Sequence, residues 1–315
     1  MKPTGIIDLH CDTLTARHGE RQKGAKSLTD PGLAFSFARV PAGIRWAQCC
    51  AIYIPDALRG RAAADYFDYY ADSFDRQMAY DRELVVPCAS AAGISAAFEG
   101  GRHAAILTVE GGAALCGDLG RVEYLKRRGV RMLTLVWNGE NELGSGNSTQ
   151  KGLTAFGKAA VRRLEEAGII VDCSHLNDRG FEDLCAVSAR PFIASHSNAR
   201  AVCAHPRNLL DGQICEIVRR GGLIGLNFYR RFLRRDGEAG LDDLYRHLSH
   251  FLALGAEKAV AIGSDFDGAE IPAGFDRVEK IPAIWDYLAR RGLSQPLLED
   301  LFFRNAFRYF VRMLP

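Results

Sequence analysis

A parallel (β/α)8 barrel of the α/β class is the architecture this 315-residue sequence predicts. Three observations point to it. Eight short apolar runs recur along the chain, at 6–12, 46–53, 104–110, 132–137, 169–175, 192–197, 223–228 and 260–266. Their starts fall mostly ~20–40 residues apart, about the length of a strand with its crossover helix. Amphipathic stretches separate the runs and no break in composition divides the chain, so residues 1–315 read as one domain. An open doubly wound sheet is the alternative use of the same units. No G-x-G-x-x-G follows the first run and no P-loop occurs, so the nucleotide signatures of that alternative are missing.

The first run, Ile6-Ile7-Asp8-Leu9-His10-Cys11-Asp12-Thr13, reads as a buried strand. Side chains at i and i+2 share a face, so His10 and Asp12 project together while Cys11 points away. The loop at 16–45, rich in Gly, Lys and Arg, is long for a βα connection, and such loops often cover an active site. Residues 57–81 read as a long helix whose Tyr66, Phe67, Tyr70 and Phe74 are packing residues. A helix at 153–167 presents Leu153, Phe156, Ala160, Val161 and Leu164 on one face, with Gly168 as its stop. Similar helix, basic and Gly lead-ins precede the runs at 132 and 223.

Composition excludes several function classes. Apolar residues make up 48% and charged residues 25%, the profile of a soluble globular protein. Forty Lys and Arg against 38 Asp and Glu give a formal charge of +2, which argues against a nucleic-acid partner. The basic pairs at 127–128, 162–163, 219–220 and 290–291 lie near predicted helix C-termini, where the helix dipole favours cations. No stretch approaches ~18 uninterrupted apolar residues, so no membrane span is expected. The start of the chain shows no signal-peptide pattern. Nine scattered Cys with no C-x-x-C suit a reducing, cytoplasmic location rather than a disulfide framework.

The polar residues at the run ends carry the chemistry. On a barrel, the C-terminal ends of all strands meet at one rim. His10 and Asp12 end the first run, Glu110 the third, His175 the fifth, His196 the sixth and Asp265 the eighth. Three of the chain's eight His therefore join three carboxylates there. One divalent ion could take His10 and Asp12 and a second His175 and His196, with Glu110 bridging. Such ligands without thiolate suit two Zn²⁺, with Mn²⁺ or Co²⁺ as substitutes. Two ions lower the pKa of a shared water towards ~7. Asp265 is left to hold the resulting hydroxide and pass its proton to a leaving group. The constellation predicts metal-assisted hydrolysis.

The segments DLHCDT, TVEGG, DCSH, IASHSNARAVCAHPRN, GLNFY, GSDFDG and the Asn305-Ala-Phe-Arg region, in that order, resemble the membrane dipeptidase (renal dipeptidase) family of dinuclear zinc peptidases. The resemblance runs from the first strand to near the C-terminus. It implies a metallo-dependent hydrolase-like barrel, with His10 and Asp12 on one zinc, His175 and His196 on the other, and Glu110 bridging. It also implies proton transfer by Asp265, a pocket position for Tyr229, and a dipeptide substrate, including one with a C-terminal D-residue. A homodimer is implied too. Arg207 is assigned to the substrate's terminal carboxylate. Its Pro-containing loop after the sixth strand can overhang the rim, and a guanidinium grips a carboxylate bidentately.

One position departs from the family. After the fourth strand the family often has a His contacting the substrate, where this chain has Trp137. Indole offers one donor and cannot reproduce a His. Two other readings compete. One is another amidohydrolase-type barrel acting on a lactone, cyclic amide or phosphoester, which commonly starts with His-x-His and carries a bridging Lys. The other is a catalytically inactive binding protein on the same scaffold.

Overall fold

The computed structural model describes residues 3–16 and 28–314. Among the described residues nine strands form one sheet: β1 (Gly5–Cys11), β2 (Arg45–Tyr53), β3 (Val85–Pro87), β4 (His103–Glu110), β5 (Met132–Thr134), β6 (Ile170–Asp172), β7 (Ile193–Ala194), β8 (Leu223–Leu226) and β9 (Val260–Ile262). Eight of them close a ring. β1 pairs with β2 and β9, β2 pairs with β4, and β4 to β9 follow in sequence order, every pairing parallel. The (β/α)8 barrel is therefore present. β3 was not expected. It pairs with the start of β4, on the edge that β5 takes over from Thr108 onward. Three residues show no period, and Pro87 lacks a ladder donor, so nothing in the sequence marks this strand.

The expected runs overshoot the ladders. β5 stops at Thr134 rather than Trp137, β6 at Asp172 rather than His175, and β9 at Ile262 rather than Phe266. The residues beyond must turn their side chains across the barrel mouth. His175 at φ 71° and Asp265 at φ 64° are left-handed, which a strand cannot hold. On β1 a different device does this. Asp8 lies opposite Gln48 and Cys11 opposite Cys50, so three steps on β1 face two on β2. That β-bulge reverses the alternation. Ile7 and Leu9 belong to the inner apolar cluster before it, and Cys11 joins the outer cluster after it. His10 and Asp12 are thereby aimed at the mouth.

The inner cluster also holds Ala47, Cys49, Ala104, Ile106, Met132, Ile170, Ile193, Leu223 and Ala261, joined by Ala306, Tyr309 and Phe310 of the helix Asn305–Met313. The last helix thus closes the barrel's N-terminal end and leaves the C-terminal mouth open. The long helix after β2 spans Gly60–Tyr80 and buries Phe67, Tyr70 and Phe74, as its pattern requires. Helix Ala155–Ala167 starts on Thr154, whose hydroxyl accepts from the Gly157 N–H, and stops on left-handed Gly168. The pair at 162–163 is a correction: it lies within this helix, not at its last turn, and Arg163 binds Glu123 and Glu166 at 2.8 and 3.1 Å. Part of the 16–45 loop, at 17–27, falls outside the described residues. Among the described residues no helix is long and apolar enough to cross a membrane.

Candidate metal centre

Five strand ends bring His10, Asp12, Glu110, His175, His196 and Asp265 together, and all six are buried. Glu110, at the end of β4, stands between two groups. Its Oε1 lies 2.8 Å from His175 Nε2 and 3.4 Å from His196 Nε2. Its Oε2 lies 3.8 Å from His10 Nε2, which is 3.5 Å from Asp12 Oδ2 and 4.0 Å from Asp265 Oδ1. Three overlapping sets have their ligand atoms within 4.8 Å: His10–Asp12–Glu110, Glu110–His175–His196 and His10–His196–Asp265. The His10 and His196 rings stack at 3.8 Å.

These residues fit divalent cations on two counts. His10 Nε2 and Asp12 Oδ1 are buried with no hydrogen-bond partner. Buried polar atoms are paired in native proteins unless an ion or water fills the place. The donor set, imidazole with carboxylate, is that of zinc and its neighbours.

The electrostatics agree. Burial pushes the Glu110 carboxyl well up, and Asp12 and Asp265 add to the effect. Asp265 is also raised, by burial first and then by Asp12, against His10 and the Asn227 amide. Burial lowers His10, yet Glu110, Asp12 and Asp265 outweigh it and hold the imidazole up at about 10. His175 and His196 go the other way, held well below the usual imidazole range by burial and by Arg207 and His10. Three acids crowd one point, and the two imidazoles on the far side are neutral. Cations between them would satisfy both.

The centre opens into a cavity of about 450 Å³ lined by Asp12, Tyr53, Glu110, Trp137, Asn138, His175, Tyr229, Phe232, Asp265 and Asp267, among others. That is room for a small ligand. Trp137 forms one wall, edge-on to Tyr53 at 5.0 Å and 6.2 Å from the His175 ring. Tyr229 lies edge-on to Phe232 at 4.7 Å. Arg207 corrects one expectation, because it does not overhang the rim. It is 4% exposed, donating from Nη1 to Ser197 Oγ at 2.7 Å and from Nη2 to the His196 carbonyl at 3.0 Å. Phe232 covers it at 5.6 Å, and its Nε–H is unspent.

Sequence reasoning missed the supporting residues. Asn138 Oδ1 lies 3.0 Å from His175 Nδ1, and Asn227 Nδ2 donates to Asp265 Oδ2 at 3.0 Å. They lie at the ends of the fourth and seventh runs, which supplied no ligand, and a scan for amides at those two ends would have found them.

The whole-chain comparison decides the family. Residues 1–313 match the model of the membrane dipeptidase family, peptidase family M19. The chain belongs to this family. Its members are metallo-dipeptidases, hydrolases of peptide bonds, and that is the enzyme class of this chain. Family membership separates it from the lactone, cyclic amide and phosphoester alternative. A solved metallopeptidase of the same family, dipeptidase AC, is 30% identical with a TM-score of 0.91, each chain covered to 99%. A metallopeptidase from Rhodobacter sphaeroides, solved with a phosphinate mimic of the dipeptide L-Ala-D-Ala, is 28% identical with a TM-score of 0.90, covering 99% of this chain and 100% of that one. An uncharacterized Klebsiella pneumoniae protein is 34% identical over 233 residues, 70% of this chain and 86% of its own. The chain spans about half the length of two uncharacterized dipeptidases of Schizosaccharomyces pombe, 51% and 58%.

Proposed function

We propose that this protein is a two-zinc dipeptidase that cleaves dipeptides with a free C-terminal carboxylate, L,D-dipeptides included. One observation carries the reading: Glu110 stands between His10 on one side and His175 with His196 on the other, beside the unpartnered His10 Nε2 and Asp12 Oδ1. His10 and Asp12 would hold one ion, His175 and His196 the other, and Glu110 both. Bound divalent ions supply Lewis-acid activation of water and of the peptide carbonyl. Mn²⁺ or Co²⁺ would serve the same ligands.

The chain's own residues would do the rest. Asp265, with a raised pKa and fixed by Asn227, suits a group that takes a proton from water and returns it to the leaving amine. Arg207, with its Nε–H unspent, would bind the substrate carboxylate. Trp137 and Tyr229 would bound the side-chain pockets. Support for including L,D-dipeptides comes from the Rhodobacter sphaeroides relative, whose bound inhibitor mimics L-Ala-D-Ala.

Metal analysis and a small panel of L,L- and L,D-dipeptides, free and amidated, test this reading. Close to two ions per chain and turnover of free dipeptides are expected. Arg207→Met should lower kcat/KM for free dipeptides by roughly 1.5–3 kcal/mol, the scale of a charged hydrogen bond, and barely affect amidated ones. Protein that carries no metal and gains no activity on adding Zn²⁺ would sink the dinuclear reading. Equal turnover of free and amidated dipeptides would remove Arg207 from substrate binding.

A further inference from the structure

Behind His196 lies a carboxylate that no part of the proposed chemistry uses. Asp172, at the end of β6, has no exposed surface. Its Oδ1 accepts the backbone N–H groups of Ser174 and Ser195, each at 2.9 Å. Its Oδ2 accepts the hydroxyls of Thr134 and Ser195, each at 2.6 Å. Ser195 Oγ lies 2.7 Å from His196 Nδ1. We propose that Asp172 is a positioning residue that acts through Ser195 to fix His196 in the tautomer whose Nε2 lone pair faces the metal centre.

The direction of the relay follows from the donor inventory. A carboxylate only accepts, so the single Ser195 hydroxyl proton goes to Asp172. Ser174 Oγ, at 3.3 Å, is a poorer partner for that proton. Ser195 Oγ is then left with lone pairs and accepts the Nδ1–H of His196. Nε2 carries no proton, and it lies 3.4 Å from Glu110 Oε1. A metal-ligating His commonly has its tautomer set this way by its second nitrogen. His175 has a separate anchor, Asn138 Oδ1, which also accepts from Asn147 Nδ2 at 2.9 Å. The Asp172 relay therefore belongs to His196 alone.

Asp172→Asn puts an NH₂ on one of two sides. Facing Ser195, it turns the hydroxyl towards His196 Nδ1 and moves the imidazole proton to Nε2, which then cannot ligate. Facing the backbone, it meets two N–H donors. The proposal rests on the metal reading of the site, and its test separates the two. Nitrogen-15 NMR of histidine-labelled, metal-free protein reads the His196 tautomer, and competition with a chelator reads zinc affinity.

The native chain should show Nδ1–H on His196. Asp172→Asn should shift the proton to Nε2 and weaken one of the two ions by about 10–100-fold, the usual cost of losing such an outer partner. Ser195→Ala should weaken the same ion, and it carries the test if Asp172→Asn fails to fold. Thr134→Val removes a donor from the same Asp172 oxygen without touching the relay, and should change affinity by no more than about twofold. Native tautomer and affinity in Asp172→Asn and Ser195→Ala would overturn the proposal, as would an equal loss in Thr134→Val. A native chain that binds no zinc would instead defeat the metal reading, with the tautomer still deciding the relay.

Discussion

Gly268 offers the sharpest test of the ligand geometry, because a methyl group there has nowhere to go except into the metal centre. A Cβ built on Gly268 lies 2.0 Å from Asp12 Oδ2, 3.0 Å from Asp12 Cγ and 2.6 Å from Asp265 Oδ1. Ordinary contact begins near 3.4 Å, so in Gly268→Ala the Asp12 oxygen must retreat by about 1.4 Å, the difference between 3.4 and 2.0 Å. Metal–ligand distances tolerate only about 0.2 Å. Asp12 therefore leaves the site, and the ion shared with His10 goes with it. The neighbours displaced are two carboxylate tips at a cavity wall, so the fold itself should be little disturbed. Elemental analysis should fall from two ions per chain towards one, and kcat should drop by at least about 100-fold, the upper end of what losing a mere supporting partner costs. The melting temperature of the metal-free form should hold within a few degrees. Gly268→Ala protein that keeps two ions at native affinity would refute the assignment of Asp12 as a ligand.

Other outcomes follow from the same geometry. His175→Ala should lose one ion while Glu110→Ala should damage both sites, which elemental analysis reads directly. Trp137→Phe keeps the pocket wall and removes the indole N–H, and should change kcat by less than about tenfold because bound ions would already polarise the carbonyl. A hundredfold loss with both ions retained would make the indole a catalytic donor. Trp137→Ala should instead alter which dipeptides are preferred. His247 accepts from the Ala199 N–H at Nδ1 and reaches the Leu233 carbonyl through Nε2, each at 3.1 Å, and burial lowers it to about 4. A lowered His stabilises the fold above the unfolded value of 6.5 and loses that contribution as pH falls towards 4. The loss is roughly 3 kcal/mol by pH 4. Urea titrations of His247→Gln should show a correspondingly smaller fall between pH 6.5 and 4.

The barrel was legible because its strands are buried on both faces and read as apolar runs. The candidate ligands were legible because five of the eight runs end in a His or a carboxylate, and a barrel brings such ends to one rim. What escaped is what alternation cannot encode. The bulge in β1 adds a residue between Asp8 and Cys11, and nothing in Asp8-Leu9-His10-Cys11 announces it. The left-handed turns at His175 and Asp265 carry no glycine to mark them, so the apolar runs read as strands continuing to the candidate ligands. Arg207 was placed correctly along the chain and wrongly in depth. A Pro-containing loop suggested an overhang, but Ser197 Oγ and the His196 carbonyl draw the guanidinium inward. Asp172 looked like one more strand residue. Its role depends on four donors from three separate elements, which no local pattern joins.

Crowding of the acids has a consequence for loading. In the metal-free protein the pull of Glu110, Asp12 and Asp265 outweighs burial and holds His10 up at about 10. At neutral pH that imidazole is therefore charged, with its Nε2 proton facing the acids. A ligating imidazole must be neutral, so a cation entering beside His10 has to displace this proton. The sign is fixed: loading releases protons, and affinity rises with pH until His10 loses its proton unaided. From pH 7 to 9 each proton released strengthens binding by about tenfold per pH unit. Titration calorimetry of zinc into metal-free protein, in buffers of different ionisation enthalpy, reads the number directly. At pH 8 it should be at least one per chain. A slope of zero across the buffers would mean that His10 is already neutral before the metal arrives, and that the three carboxylates do not act on it as their distances require.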